Sequence, residues 1–325
     1  MTITTAKMLW TACICSLLVF VPASTASAEE GGGVSYPEGA ETIMPAVAPP
    51  RNVLVVQEFT LIYSASQFND SHGNSLIPDF RLTEVANCVK FKYGWNINVL
   101  GGHLMSGVGV VQAYAQVEEP FAGETPAQIA AGYVQTQSKN NLANQDLEPL
   151  YVVYNKGSLF WQYGEDIWTP GPSYNHNTNN IVNIGQHYWE FEPNAAITWL
   201  PNKGKTELSS RFHYAWATTN PDNNYHSGNY ISWEFNATQN VSKRMAIGFQ
   251  GYLLKQVKDD TQHGVKVGDG FRTQALGIGP QLRYAVGKGV IAFKYFRDTE
   301  VRDHPVGNGF WFECGFPFTF HKGKS

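Results

Sequence analysis

Residues Gly309 to Phe320 read GFWFECGFPFTF. Side chains of an extended strand point alternately to its two sides. Phe310, Phe312, Cys314, Phe316, Phe318 and Phe320 therefore share one face, and Trp311, Glu313, Gly315, Pro317 and Thr319 the other. Five phenylalanines on one side of a strand require a core or lipid against them. Only HKGKS follows, which leaves little chain for a covering layer. A transmembrane β-barrel completes its wall with such a strand, aromatic side outward.

Upstream, the same alternation recurs. Trp189, Phe191, Ala195, Ile197 and Trp199 oppose Glu190, Glu192, Asn194 and Thr198. Leu208, Phe212, Tyr214 and Trp216 oppose Ser209, Arg211 and His213, and Ile231, Trp233, Phe235 and Ala237 oppose Ser232, Glu234, Asn236 and Thr238. Ile291, Phe293 and Tyr295 oppose Ala292, Lys294 and Asp298. One strand is irregular, with Tyr252 and Leu254 on its nominally polar face. The pattern predicts strands at 52–66, 81–95, 98–118, 149–156, 158–169, 187–200, 205–217, 229–239, 243–257, 270–286, 289–302 and 308–320. The fold class expected is all-β, a closed antiparallel up-and-down transmembrane barrel of about 12 strands, the even number bacterial barrels use.

The connections carry an independent argument. Tight turns are expected at Asn96, at Asn155-Lys156-Gly157, from Pro201 to Lys205, around Asn240 to Ser242 and at Gly287-Lys288. They alternate with longer links at 67–80, 119–148, 170–186, 218–228, 258–269 and 303–307. Short periplasmic turns and long outer loops give this parity; Greek-key sandwich connections do not. Within the longest loop, Thr125-Pro126 followed by AQIAAGYVQTQ reads as a short surface helix or an ordered loop turn.

Lys7, the apolar run Leu9 to Val21 and Ala26-Ser27-Ala28 form an export signal over residues 1–28. The segment 29–51 is Gly/Pro-rich and without period, either a periplasmic tail or a plug of the lumen. The barrel is expected over 52–320 and a short tail over 321–325. Beyond the signal no apolar run approaches the ~18 residues of a spanning helix, and mean hydropathy is −0.27. That average does not exclude a barrel, whose alternating strands cancel. The net charge of −4 and scattered basic residues exclude a nucleic-acid partner.

With the apolar faces in lipid, the polar faces line the interior. The expected lumen set is Glu84, Lys90, Lys92, Glu190, Glu192, Arg211, His213, Glu234, Gln250, Arg283, Lys294, Asp298, Trp311 and Glu313. Both signs occur, so many of these charges can pair across the lumen and no strong ion selectivity is expected. Cys88 points inward and Cys314 outward, too far apart across strand one for a disulfide.

Enzyme signatures are missing. Asp259-Asp260 with Asp269-Gly270 lacks EF-hand spacing, the nine histidines form no HExxH-like pattern, and Ser210 and His213 fall on opposite faces. No catalytic residue, cofactor or metal site is expected.

TPGPSYN (169–175), NIGQHYW (183–189), FEPNAAITWL (191–200), YHSGNY (225–230), GYLLKQVKDD (251–260), GDGFR (268–272), GIGP (277–280) and RDHPVGNGFWFECGFPF (302–318) recur together here. With EGGG, YPEGAE and APP in the arm, the chain resembles the bacterial family named for the meta-pathway of phenol degradation, transporter-like outer-membrane proteins. It departs at Arg302-Asp303-His304, where an Asn is expected beside the Arg. The resemblance implies a bacterial outer-membrane protein associated with uptake of aromatic compounds; it supplies no substrate and no catalytic residue. The function expected is passive uptake of small hydrophobic or aromatic solutes, with outer-membrane lipid as the surrounding partner. The alternative is a non-transporting anchor whose outer loops, 119–148 and the Asn-rich 174–183, bind a ligand or partner. The oligomeric state is open.

Overall fold

A computed structural model describes residues 34–120, 127–128, 131–176 and 180–319. The expected export signal 1–28, arm residues 29–33, Thr125-Pro126, Phe320 and the tail 321–325 lie outside the described residues. In chain order the strands are β1 Val53–Phe68, β2 Arg81–Val99, β3 Gly102–Pro120, β4 Val134–Leu142, β5 Asp146–Lys156, β6 Leu159–Trp168, β7 Glu190–Trp199, β8 Thr206–Ala217, β9 Tyr225–His226, β10 Tyr230–Asn240, β11 Met245–Gln256, β12 Thr261–Gln262, β13 Val265–Lys266, β14 Gln274–Val286, β15 Gly289–Arg302 and β16 Pro305–Thr319. The ring runs β1–β2–β3–β5–β6–β7–β8–β10–β11–β14–β15–β16 and closes on β1, every pair antiparallel. These are the twelve strands of the barrel.

The closing strand behaves as its alternation requires. Phe310 and Phe318 are 55% and 50% exposed, whereas Trp311 and Glu313 are buried in the lumen. Outward aromatics mark both rims, with Trp95 and Trp199 near the short turns and Trp189 and Trp216 near the long loops. A charge on this outer surface loses its hydration in lipid. Phe312→Arg is expected to cost about 2–4 kcal/mol if it lies near the bilayer midplane. Reversible unfolding from lipid vesicles measures it.

Several expectations need correction. The β2–β3 turn sits at Leu100-Gly101, not Asn96, because both residues take positive φ (51° and 85°), the geometry of a two-residue hairpin. The outer link between β15 and β16 is only Asp303-His304, since Pro305 already pairs with Phe68. The strand expected from 270 starts at Gln274, after Gly270 and Phe271 with φ of 106° and 44°. Where AQIAAGYVQTQ reads as a short helix or an ordered turn, Ala127 and Gln128 are helical and Ala131 N donates to Ala127 O at 3.0 Å; from Val134 the same stretch runs as β4, which continues the line of β5 along β3. Between β4 and β5 the ladder is interrupted, and Gln145 bridges the gap. Its Nε2 donates to Val111 O at 2.9 Å and its Oε1 accepts from Val111 N at 3.0 Å. The part of β3 from Gln112 to Pro120 extends past β5, and β4 pairs its backbone groups there.

The expectation that every inward face is polar fails on one side. Leu61, Tyr63, Ala65, Ala86, Val111, Ala113, Ala115 and Val117 from β1, β2 and β3 point into the lumen and form one buried cluster. Tyr252 and Leu254, the irregular pair of β11, join it. Three inward aromatics lie over glycines of the adjacent strand. A Cβ on Gly164, Gly277 or Gly309 would meet the ring of Tyr151, Tyr252 or Phe296 within 2.4 Å. Glycine is needed there for close approach, and the rings thicken the inner wall.

Candidate functional site: the filled lumen

Residues 34–51 run through the barrel from the long-loop end to the short-turn end. Near the top, Ser35 Oγ donates to Gln186 Oε1 at 3.1 Å and Tyr36 OH donates to Glu234 Oε2 at 2.9 Å. Halfway down, Lys294 Nζ donates to Ala40 O at 2.9 Å and to Thr42 Oγ1 at 3.1 Å. Lower, Met44 N donates to Glu207 Oε1 at 2.7 Å and Ala46 N to Thr198 Oγ1 at 3.3 Å. The arm leaves over Gly94, where a Cβ would stand 2.4 Å from Pro50 O. Arg51 then reaches Asn98 Oδ1 at 2.5 Å, and the chain turns into β1.

Glu41 is the arm's charged anchor. Its Oε1 lies 2.9 Å from Lys90 Nζ and 2.8 Å from Lys92 Nζ, and its Oε2 meets Arg211 Nη1. The same cations hold wall carboxylates. Lys90 is 2.7 Å from Asp146 and 2.8 Å from Glu148, Lys92 is 3.1 Å from Glu148, and Arg211 is 2.6 Å from Asp166. All seven side chains are at most 9% exposed. Removing one member of a buried network strands its partners without hydration. Lys90→Met leaves Glu41, Asp146 and Glu148 short of a cation, so a loss of about 3–5 kcal/mol is expected. Urea titration of the refolded barrel checks it.

The other expected lumen residues are distributed around this knot. Lys294 pairs with Glu313 and stands 5.4 Å over the Trp311 ring. Glu190 and Glu192 accept from Tyr230 OH at 3.0 and 2.6 Å, and His213 packs beside them with its ring 4.6 Å from that of Tyr36. Gln250 Nε2 donates to Tyr295 O at 3.1 Å. Asp298 accepts from Tyr63 and Tyr252 at 2.6 and 2.5 Å near the top, and Arg283 pairs with Glu207 near the bottom. Glu84 stands apart, against the apolar wall. Sequence reasoning missed Tyr36, Glu38 and Glu41, because an aperiodic arm has no face to assign. It also missed Asp146, Glu148 and Asp166; in β5 a register shift between Glu148 and Tyr151 moves the inward phase from Asp146 and Glu148 to Tyr151 and Val153, so simple alternation does not connect them.

Among the described residues, two cavities lie against the arm. The outer one, of about 230 Å³, is lined by Leu61, Tyr63, Leu82, Ala113, Val117, Leu254 and Phe296 on the wall. Loop 169–189 covers it with Ile181, Val182 and Ile184, and Val34 to Glu38 close it from below. Asn144 fastens that loop, donating from Nδ2 to Gln186 O at 3.2 Å and accepting from Gln186 N at 2.7 Å. The inner cavity, of about 520 Å³, opens at the short-turn end between the arm and β14, β15 and β16. Lys92, Lys243, Arg244, Arg283 and Lys288 outnumber Glu41 and Glu313 on its lining.

Outside the span, burial and the neighbouring Asp269, Asp70 and Asp260 push the Asp303 carboxyl up to about 6. A raised acid stabilises the fold below its unfolded value near 3.9 and loses that contribution as pH rises through about 6. The outer loops are therefore expected to be more stable at pH 4 than at pH 7. Asp303→Asn should flatten this difference in proteolysis of loop 257–273.

Among the described residues Cys88 and Cys314 are both free, with β1 standing between them. Ser210 binds Trp233 Nε1 at 2.7 Å on the outside while His213 is buried inside, so the two never meet.

Comparison with known proteins agrees with this architecture. The family described as "Putative MetA-pathway of phenol degradation" matches over residues 65–314. No curated protein matches the sequence. Among solved structures, the COG4313 outer membrane channel from Pseudomonas putida F1 is similar at 13% identity and a TM-score of 0.68, covering 85% of this chain and 98% of that one. A monoaromatic hydrocarbon channel, CymD, aligns at 6% identity and a TM-score of 0.45, over 92% of this chain and 98% of its own.

Proposed function

This chain belongs to the family of the MetA pathway of phenol degradation, and from that premise we propose that it is an outer-membrane barrel for passive uptake of small hydrophobic or aromatic compounds. The observation that carries the reading is the outer cavity. Its lining is mostly apolar on a wall that a purely hydrophilic pore would make polar. At about 230 Å³ it exceeds the ~150 Å³ of an apolar cavity known to accept benzene.

A solute would leave the outer leaflet or medium, settle against Leu61, Ala113, Val117 and Phe296, and move inward when the arm yields. The arm is the plug in this reading: it fills the section between the two cavities, and its ionic anchor sets how readily it moves. Hydrolysis is disfavoured by the separation of Ser210 from His213. Loop 169–189 turns its apolar side chains toward the lumen, which favours transport over a purely adhesive role for that loop.

The test is equilibration of a small aromatic solute across liposomes carrying the purified protein. Faster equilibration than in protein-free liposomes is expected, as is slower growth of a deletion strain on limiting aromatic carbon. Equal rates with and without protein would overturn the proposal and leave the barrel untouched.

A further inference from the structure

Next to the arm's anchor stands a group of side chains that Glu41 does not pair with, one of which, Asp166, also belongs to the ionic knot. Asp166 of β6, Glu192 of β7 and His213 of β8 come from three successive wall strands, and each offers an atom within 4.8 Å of the other two. Register explains the convergence: Asp166 pairs with Glu192 across β6–β7, and His213 with Asn194 across β7–β8. All three are fully buried.

His213 is the observation that points to a ligand. Neither ring nitrogen has a hydrogen-bond partner, although the residue is 0% exposed. An imidazole left so in a protein interior forfeits the full cost of its desolvation. Its Nδ1 faces Glu192 Oε2 at 3.5 Å, and that oxygen is also without a hydrogen bond. Two ligands bonded at ~2.1 Å to one tetrahedral ion stand about 3.4 Å apart. The surroundings already orient the carboxylates as supporting groups of a metal centre do. Tyr230 OH takes Glu192 Oε1 at 2.6 Å and so leaves Oε2 free, while Arg211 and the Tyr151 hydroxyl hold Asp166.

Charge points the same way. Lys90, Lys92 and Arg211 are matched by Glu41, Asp146, Glu148 and Asp166. Glu190, Glu192 and Glu234 have no Lys or Arg within 4.0 Å among the described residues. We infer that Asp166, Glu192 and His213 bind a divalent transition-metal ion of the Zn²⁺ class inside the barrel wall, a structural centre distinct from the solute cavities. Mixed imidazole and carboxylate donors suit this class better than the all-oxygen sets preferred by Ca²⁺ or Mg²⁺.

The experiment uses the full barrel, refolded in detergent, stripped with chelator, exposed to Zn²⁺ and desalted. About one Zn²⁺ per chain should remain, with a higher unfolding temperature than the stripped protein. His213→Gln and Glu192→Gln should each lose the bound Zn²⁺, whereas Glu190→Gln, which removes a neighbouring acid and no ligand, should keep it. A wild-type barrel that retains no Zn²⁺, or a His213→Gln barrel that retains as much as wild type, overturns the assignment. Should the variants fail to fold, X-ray absorption of the Zn²⁺-loaded wild type decides: a shell with one imidazole nitrogen supports the site, and an all-oxygen shell or no bound metal refutes it.

Discussion

Deleting residues 34–50 is expected to raise single-channel conductance on the order of tenfold, because it empties the middle of a twelve-stranded lumen wide enough for water. The wall should survive the deletion. Without Glu41, three cations (Lys90, Lys92 and Arg211) still face three wall carboxylates (Asp146, Glu148 and Asp166) at hydrogen-bonding distance. Glu41→Gln is the subtler form of the same experiment. It removes three ion pairs of the arm while keeping its shape, so brief openings to the deletion's conductance level should appear in a bilayer recording. Lys90→Met differs in kind, since it unbalances the wall itself and should lower stability rather than gate the pore. If the deletion conducts no better than the parent, the arm is not what blocks the lumen.

The second large effect concerns the outer cavity. Ala113 is 6% exposed on the inner face of β3 and lines that cavity, so Ala113→Trp places an indole where a solute would sit. Aromatic uptake should fall at least about tenfold, the equivalent of ~1.4 kcal/mol of lost binding. Ion conductance of the arm-deleted barrel should change far less, because that route does not depend on an apolar surface. Val108→Trp is the control, as Val108 is 40% exposed on the outer face of the same strand. Unchanged uptake in Ala113→Trp would remove the cavity from the transport route.

Much of this architecture was legible in particular residues. The split between Phe310 and Trp311, or between Phe212 and Arg211, assigns each side chain to lipid or lumen with no tertiary information. Period two has only two phases, and lipid tolerates only one of them. The parity of short and long links likewise fixed the direction of each strand, although it overstated the last outer link.

The legibility ended where period two ended. Ala113, Ala115 and Val117 point inward and yet are apolar, while Gln112, Gln116 and Glu118 face outward, so alternation taken alone assigns this stretch the opposite phase. Gln145 repairs a ladder break that exists only because β3 extends past β5. Alternation along each strand, enforced by the insolubility of charge in hydrocarbon, was enough to specify a closed barrel and the orientation of its wall. The course of the arm, the partners of Glu41 and the meeting of Asp166, Glu192 and His213 depend on contacts between residues far apart in the chain, which ring closure and strand register alone bring together.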